Sequence, residues 1–89
     1  MRAIVTVIGK DQVGIIAAVC ALLSEHKVNV LDISQTILQE YFTMIMLVDA
    51  SAIDLPFAQL VKDLEEAGKE RGLVIHVQRE DIFNAMHRI

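Results

Sequence analysis

The stretch VIGKDQVGIIAAVCALLSEHKVNV, residues 7–30, decides the fold. Its first residues close a run, RAIVTVI (2–8), that is rich in β-branched side chains and stops at Gly9, the pattern of a buried strand. From Val13 the period changes. Ile15, Ile16, Val19, Leu22 and Leu23 recur at helical spacing up to His26. VNVLDISQTIL (28–38) then returns to strand, with Leu31, Ile33 and Ile37 on one face and Asp32, Ser34 and Thr36 on the other. Strand, helix and strand in this order make one right-handed crossover unit.

The same unit recurs further along. QEY (39–41) is a turn, and FTMIMLVD (42–49) pairs back as the second arm of a hairpin. The next helix follows DASAIDLP, with Asp54 as its N-cap, Pro56 in its first turn and Gly72 just past its end. Its apolar stripe is Phe57, Leu60, Val61, Leu64 and Ala67, and its other side is densely charged. LVIHVQ (73–78) is a fourth strand with Leu73, Ile75 and Val77 on one face. EDIFNAMHRI then spaces Ile82, Phe83, Met86 and Ile89 as a short amphipathic helix over about 80–88. The order βαββαβ predicts an α+β, ferredoxin-like fold: a four-stranded antiparallel sheet, two helices on one face and a short C-terminal helix. Residues 1–89 read as a single domain with its core in 2–78. The fold by itself assigns no chemistry.

Composition narrows the function. Of 89 residues, 54% are apolar, whereas a chain this short buries only about 60–65% of its unfolded surface. The third strand is apolar on both faces, with Phe42, Met44, Met46 and Val48 on one and Ile45 and Leu47 on the other. The back of the first helix carries the small, uncharged Ala17, Cys20, Ala21 and Ser24. Both features predict a homodimer or a dimer-based oligomer. The net charge of −4 and the lack of a Lys/Arg cluster argue against nucleic acid. The uncharged run Val13 to Ser24 is far short of the ~20 residues that span a bilayer, and no signal-peptide pattern opens the chain, so a cytoplasmic location is expected. Cys20 is the single cysteine, which excludes an internal disulfide or a CxxC site. His26, His76 and His87 lack metal-ligand spacing, and Cys20 has no histidine or carboxylate one turn away. The expectation is a binding protein with no catalytic residues, no metal and no cofactor.

The loop GKDQVG (9–14) joins a strand end to a helix start. Gly9 is expected to supply a positive φ, and Gly14 a close backbone approach. The helix's first-turn amides favour an anion. Asp11 beside them disfavours phosphate and suits a ligand with both a carboxylate and an ammonium, such as a free amino acid. Asp11 reads equally as an N-cap or Asx-turn residue that holds only the loop.

The strand into Gly9, Asp11, Gly14 with Ile15 and Ile16, and VNV entering the second strand at Asn29, followed by YFTMIMLVD, resemble the ACT domain over roughly residues 2–78. With IFNAMHRI at its end, the chain looks most like the small stand-alone ACT proteins of bacteria and archaea, related to the glycine-cleavage-repressor type. The resemblance implies a regulatory module that binds a small amino acid at a subunit interface and acts on an enzyme or regulator. Carried over by position, it implies Gly9, Asp11, Gln12, Val13, Gly14 and Asn29 as ligand-binding residues. Many ACT loops carry Arg-Pro where this chain has Gln12 and Val13, so one cationic contact is missing. The alternative is a dimeric ACT scaffold that holds no ligand and mediates protein–protein contact.

Overall fold

The computed structural model describes residues 1–10 and 12–82. Asp11 lies outside the described residues, as do 83–89 and with them most of the C-terminal helix expected over 80–88. Six elements follow in order: β1 (Arg2–Lys10), α1 (Ile15–Glu25), β2 (Asn29–Leu38), β3 (Tyr41–Asp49), α2 (Phe57–Glu70) and β4 (Val74–Arg79). The strands form one sheet in the order β2-β3-β1-β4, every neighbouring pair antiparallel. This is the ferredoxin-like arrangement read from the sequence.

Alternation builds the core. Ala3, Val5 and Val7 of β1, Met44, Met46 and Val48 of β3, and Ile75 and Val77 of β4 all point to one side and are buried. Ile15, Val19 and Leu23 of α1 and Leu60 and Leu64 of α2 close over them. Each large side chain so buried stabilises the fold by about 1.5–3 kcal/mol. The end of α1 is tied to the middle of α2. His26 Nδ1 lies 2.8 Å from the Leu22 carbonyl and Nε2 lies 3.3 Å from Asp63 Oδ2, so the ring bridges α1 to α2.

Several local expectations are corrected. Asp54 is not the cap of α2: Pro56 occupies that position with extended φ/ψ and no side-chain cap, and Asp54 pairs with Lys27 Nζ at 3.2 Å. Gly72 does end that helix in the left-handed region, at φ 72°. The two loop glycines exchange roles. Gly9 continues β1, and a Cβ there would meet Leu73 Cδ2 at 2.5 Å, so Gly9 is the position of close approach. Gly14 has φ 84°, and a Cβ there would meet nothing within 4 Å, so the positive φ falls to Gly14.

β2 is the fourth departure. It is an edge strand, and every residue from Leu31 to Glu40 is exposed. Ile33 and Ile37 do share the helix-side face, opposite Met46 and Phe42, but Leu31 sits at a bulge between Val30 and Asp32. The cause of the exposure is length. The eleven residues of α1 make about 16 Å of helix, against about 33 Å for the ten residues of β2. One helix cannot roof the strand.

Candidate functional site

The uncovered part of β2 and the start of α1 face each other. Gly14, in the left-handed region, turns the chain into α1, whose first internal bond runs from Ala18 N–H to the Gly14 carbonyl at 2.9 Å. No side chain among the described residues caps this end. The amides of Ile15, Ile16 and Ala17 therefore lack an intrahelical acceptor and carry the positive end of the helix dipole. They border an open cleft of about 210 Å³ whose remaining lining includes Gln12, Gln35, Ile37 and Phe42.

The cleft's chemistry is limited and readable. No lining residue is charged. Gln12 Nε2 donates to the Arg71 carbonyl at 3.2 Å, which ties the loop to the end of α2. Gln35 supplies a side-chain amide, while Ile16, Ile37 and Phe42 supply apolar walls. Free amides at a helix start accept a carboxylate, and the walls suit a short aliphatic body.

The sequence-predicted residues separate into groups. Gln12 and Gly14 line the cleft. Val13 stands beside them, fully exposed. Gly9 lies within β1 against Leu73 and does not line the cleft. Asn29 pairs with Asp49 at the far end of the sheet, whereas the loop follows Lys10, which pairs with Tyr41. Eight strand residues, about 27 Å, separate those two ends. Asp11 lies outside the described residues. Three lining residues escaped the sequence reading: Gln35, Ile37 and Phe42. Gln35 was findable, since it is the polar interruption of an otherwise apolar face between Ile33 and Ile37.

Elsewhere the described residues offer less. They contain no group of three His, Cys, Asp or Glu placed to hold a metal. A depression of about 180 Å³ beside β4 mixes Glu65, Lys69 and His76 with Leu73 to Ile75, without convergent donors. The two perturbed carboxyls serve structure. Asp49 is held below the ordinary aspartate range by hydrogen bonds from Ser51, and Asp54 by the hydrogen bond from Lys27. No described helix is long and apolar enough to cross a membrane.

Comparison with known proteins adds to this geometry. A sequence model of the ACT domain matches residues 2–78. A UPF0237 protein of Clostridium acetobutylicum is 57% identical over 89 residues, covering all of both chains. Another from Methanocaldococcus jannaschii is 53% identical over 88 residues, covering 99% of this chain and 98% of that one. Among solved structures, an ACT domain protein from Streptococcus pneumoniae superposes with a TM-score of 0.83 at 42% identity, covering 98% of each chain.

Proposed function

The chain belongs to the ACT-domain family, and from that premise we propose that it is a non-enzymatic regulatory module that binds a small amino acid as a dimer. The observation that carries this reading is the cleft at the start of α1, where amides with no partner among the described residues meet an uncharged wall and one side remains open along the uncovered β2 edge. The ligand carboxylate takes the amides, and the apolar walls admit a short side chain. The ammonium finds no carboxylate in the described lining, so its partner is Asp11 or a group from a second copy. A second copy pairing along β2 also removes a long exposed edge whose single charged residue is Asp32. The readout of binding is a changed contact with a regulated enzyme or regulator in the cytoplasm.

A thermal-shift panel of the twenty amino acids tests the reading. A ligand at a hundredfold excess over Kd adds about 2.7 kcal/mol, on the order of 10 °C for a domain of this size. One or a few small amino acids are expected to shift the melt. Gln35→Phe, which fills the cleft from an exposed position, is expected to abolish the shift and leave the unliganded melt in place. Should none of the twenty move the melting temperature, the dimeric scaffold that holds no ligand becomes the better reading. The missing Arg-Pro at Gln12 and Val13 favours it.

A further inference from the structure

The exposed stretch of β2 has a symmetry of its own. Ile33, Ser34, Gln35, Thr36 and Ile37 carry the same chemistry read in either direction: isoleucine, hydroxyl, amide, hydroxyl, isoleucine. The two faces of the strand keep this order. Ile33, Gln35 and Ile37 stand opposite the buried Met46, Met44 and Phe42, on the helix side, while Ser34 and Thr36 stand opposite Ile45 and Thr43, on the other. All five are exposed. Free edge strands in soluble proteins are guarded by lysine, proline or brevity. β4, the other edge, has six residues and ends in Arg79. β2 has ten residues, no lysine and no proline, and Asp32 is its single charge.

We propose that two copies pair along β2 about a twofold axis through Gln35, so that each cleft is completed by residues of its neighbour. This rests on the reading of β2 as the dimer edge and fixes where the axis lies. A twofold axis between two edge strands makes them antiparallel and sets residues equally distant from Gln35 opposite one another. Ile33 then meets the partner's Ile37, Ser34 the partner's Thr36, and Gln35 the partner's Gln35. Each pair is like with like and lies on one face, and β-branched and Ser–Thr pairs are favourable cross-strand neighbours. Other axes do worse. An axis between two residues would set helix-side residues against residues of the other face, which antiparallel pairing forbids. An axis through Ser34 or Thr36 sets Gln35 against isoleucine, and one through Asp32 sets like charges together. An axis through Ile33 or Ile37 carries half of the stretch past the bulge at Val30/Asp32 or past the hairpin turn. The consequence falls on the cleft, which Gln35 and Ile37 line from this edge. The partner's Gln35 and the partner's Ile33 extend that wall, so the two clefts lie side by side across the axis.

Cysteine cross-linking in the full chain reads the position of the axis. In a Cys20→Ser background, Gln35→Cys, Ile33→Cys and Ile37→Cys are oxidised mildly, each alone and the last two also refolded together. Directly opposed residues bring their Cβ atoms to about 4.5–5.5 Å, within small adjustment of disulfide geometry. Gln35→Cys alone is expected to run at twice the monomer mass on a non-reducing gel. Ile33→Cys and Ile37→Cys alone are expected to stay at monomer mass, since each lies about 13 Å from its own counterpart, and to cross-link only as a mixture. A dimer band from either isoleucine variant alone, or none from Gln35→Cys, overturns the proposal. The gel also separates this proposal from the ligand reading. Cross-linked Gln35→Cys with no amino acid shifting the melt would remove the ligand and keep the axis, whereas a ligand-induced shift without the cross-link would keep the ligand and remove the axis.

Discussion

A methyl group added at Gly14 and at Gly9 should harm the protein for opposite reasons, and the difference is measurable. At Gly14 the backbone sits at φ 84°, and a Cβ would meet nothing within 4 Å. The cost of Gly14→Ala is therefore conformational, about 1–2 kcal/mol for an L-residue in the left-handed region. At about 4–8 °C per kcal/mol, the melting temperature should fall by roughly 5–15 °C. Gly14→Asn, whose side chain tolerates that region, should recover much of the loss. At Gly9 the cost is steric. The new Cβ would stand 2.5 Å from Leu73 Cδ2, and Leu73 is 3% exposed, so it has little room to yield. Overpacking of this kind costs about 1–3 kcal/mol. Shortening the obstacle with Leu73→Val should shrink the cost of Gly9→Ala, whereas it should leave that of Gly14→Ala unchanged. Urea melts of the double-mutant cycle at one fixed protein concentration supply the numbers. A Gly14→Ala protein as stable as the parent, or equal coupling of both glycines to Leu73, would refute the assignment of roles.

Two further outcomes are expected. Ile33→Lys and Ile37→Lys alter residues that are already 39 and 54% exposed, so each should barely disturb the folded chain, but together they should drive the mass by light scattering toward the 9.9 kDa monomer; an unchanged mass would exclude the β2 edge as the dimer surface. Asp54, held below its ordinary 3.8 by Lys27, contributes stability that is present above that value and lost as pH falls through the lowered one; Asp54→Asn should slightly flatten the stability–pH curve below about pH 4 and leave the curve between pH 6 and 8 alone, and an identical acid limb in both proteins would count against the pair.

The fold was legible because its signal is periodic and redundant. Val5 and Val7, Met44 and Met46, and Ile75 and Val77 announce a shared buried face by alternation alone, and Leu60 with Leu64 announces the helix above them. Local backbone detail was not legible in the same way. Asp54 has the right side chain for an N-cap, but an N-cap is fixed by where the helix starts. Here α2 starts at Phe57 with Pro56 at the cap position, two residues beyond Asp54, and the Asp54 carboxylate pairs with Lys27 instead. The glycines failed for a related reason. Either glycine permits a positive φ or a close neighbour, and only the arrival of Leu73 over β1 decides which of them meets the neighbour.

The candidate site was half legible, and the unread half has a physical cause. Gln12 and Gly14 are adjacent in sequence to the helix they introduce, so a local pattern suffices to find them. Gln35 and Ile37 come from one arm of the hairpin and Phe42 from the other, and they enter the site only through the register that sets Gln35 opposite Met44 and Ile37 opposite Phe42. Asn29 presents the reverse problem. Resemblance groups it with Gly14, while the chain's own sheet sets Asn29 at the opposite end from the end of β1 that leads into the loop, about 27 Å along the strands, because β1 and β2 both run antiparallel to β3 and hence parallel to each other. In a parallel arrangement the end of β1 and the start of β2 lie at opposite ends of the sheet, and no side-chain movement closes that gap. A second copy would close it. If two β2 strands pair antiparallel about a twofold axis, the start of each lies beside the end of the other, and the Asn29 of one copy comes to the open side of the cleft in its neighbour. On that geometry Ile33→Lys, which lies outside the cleft lining, should cost ligand binding to the extent that it separates the copies, whereas Asn29→Ala should cost the ligand and leave the mass unchanged.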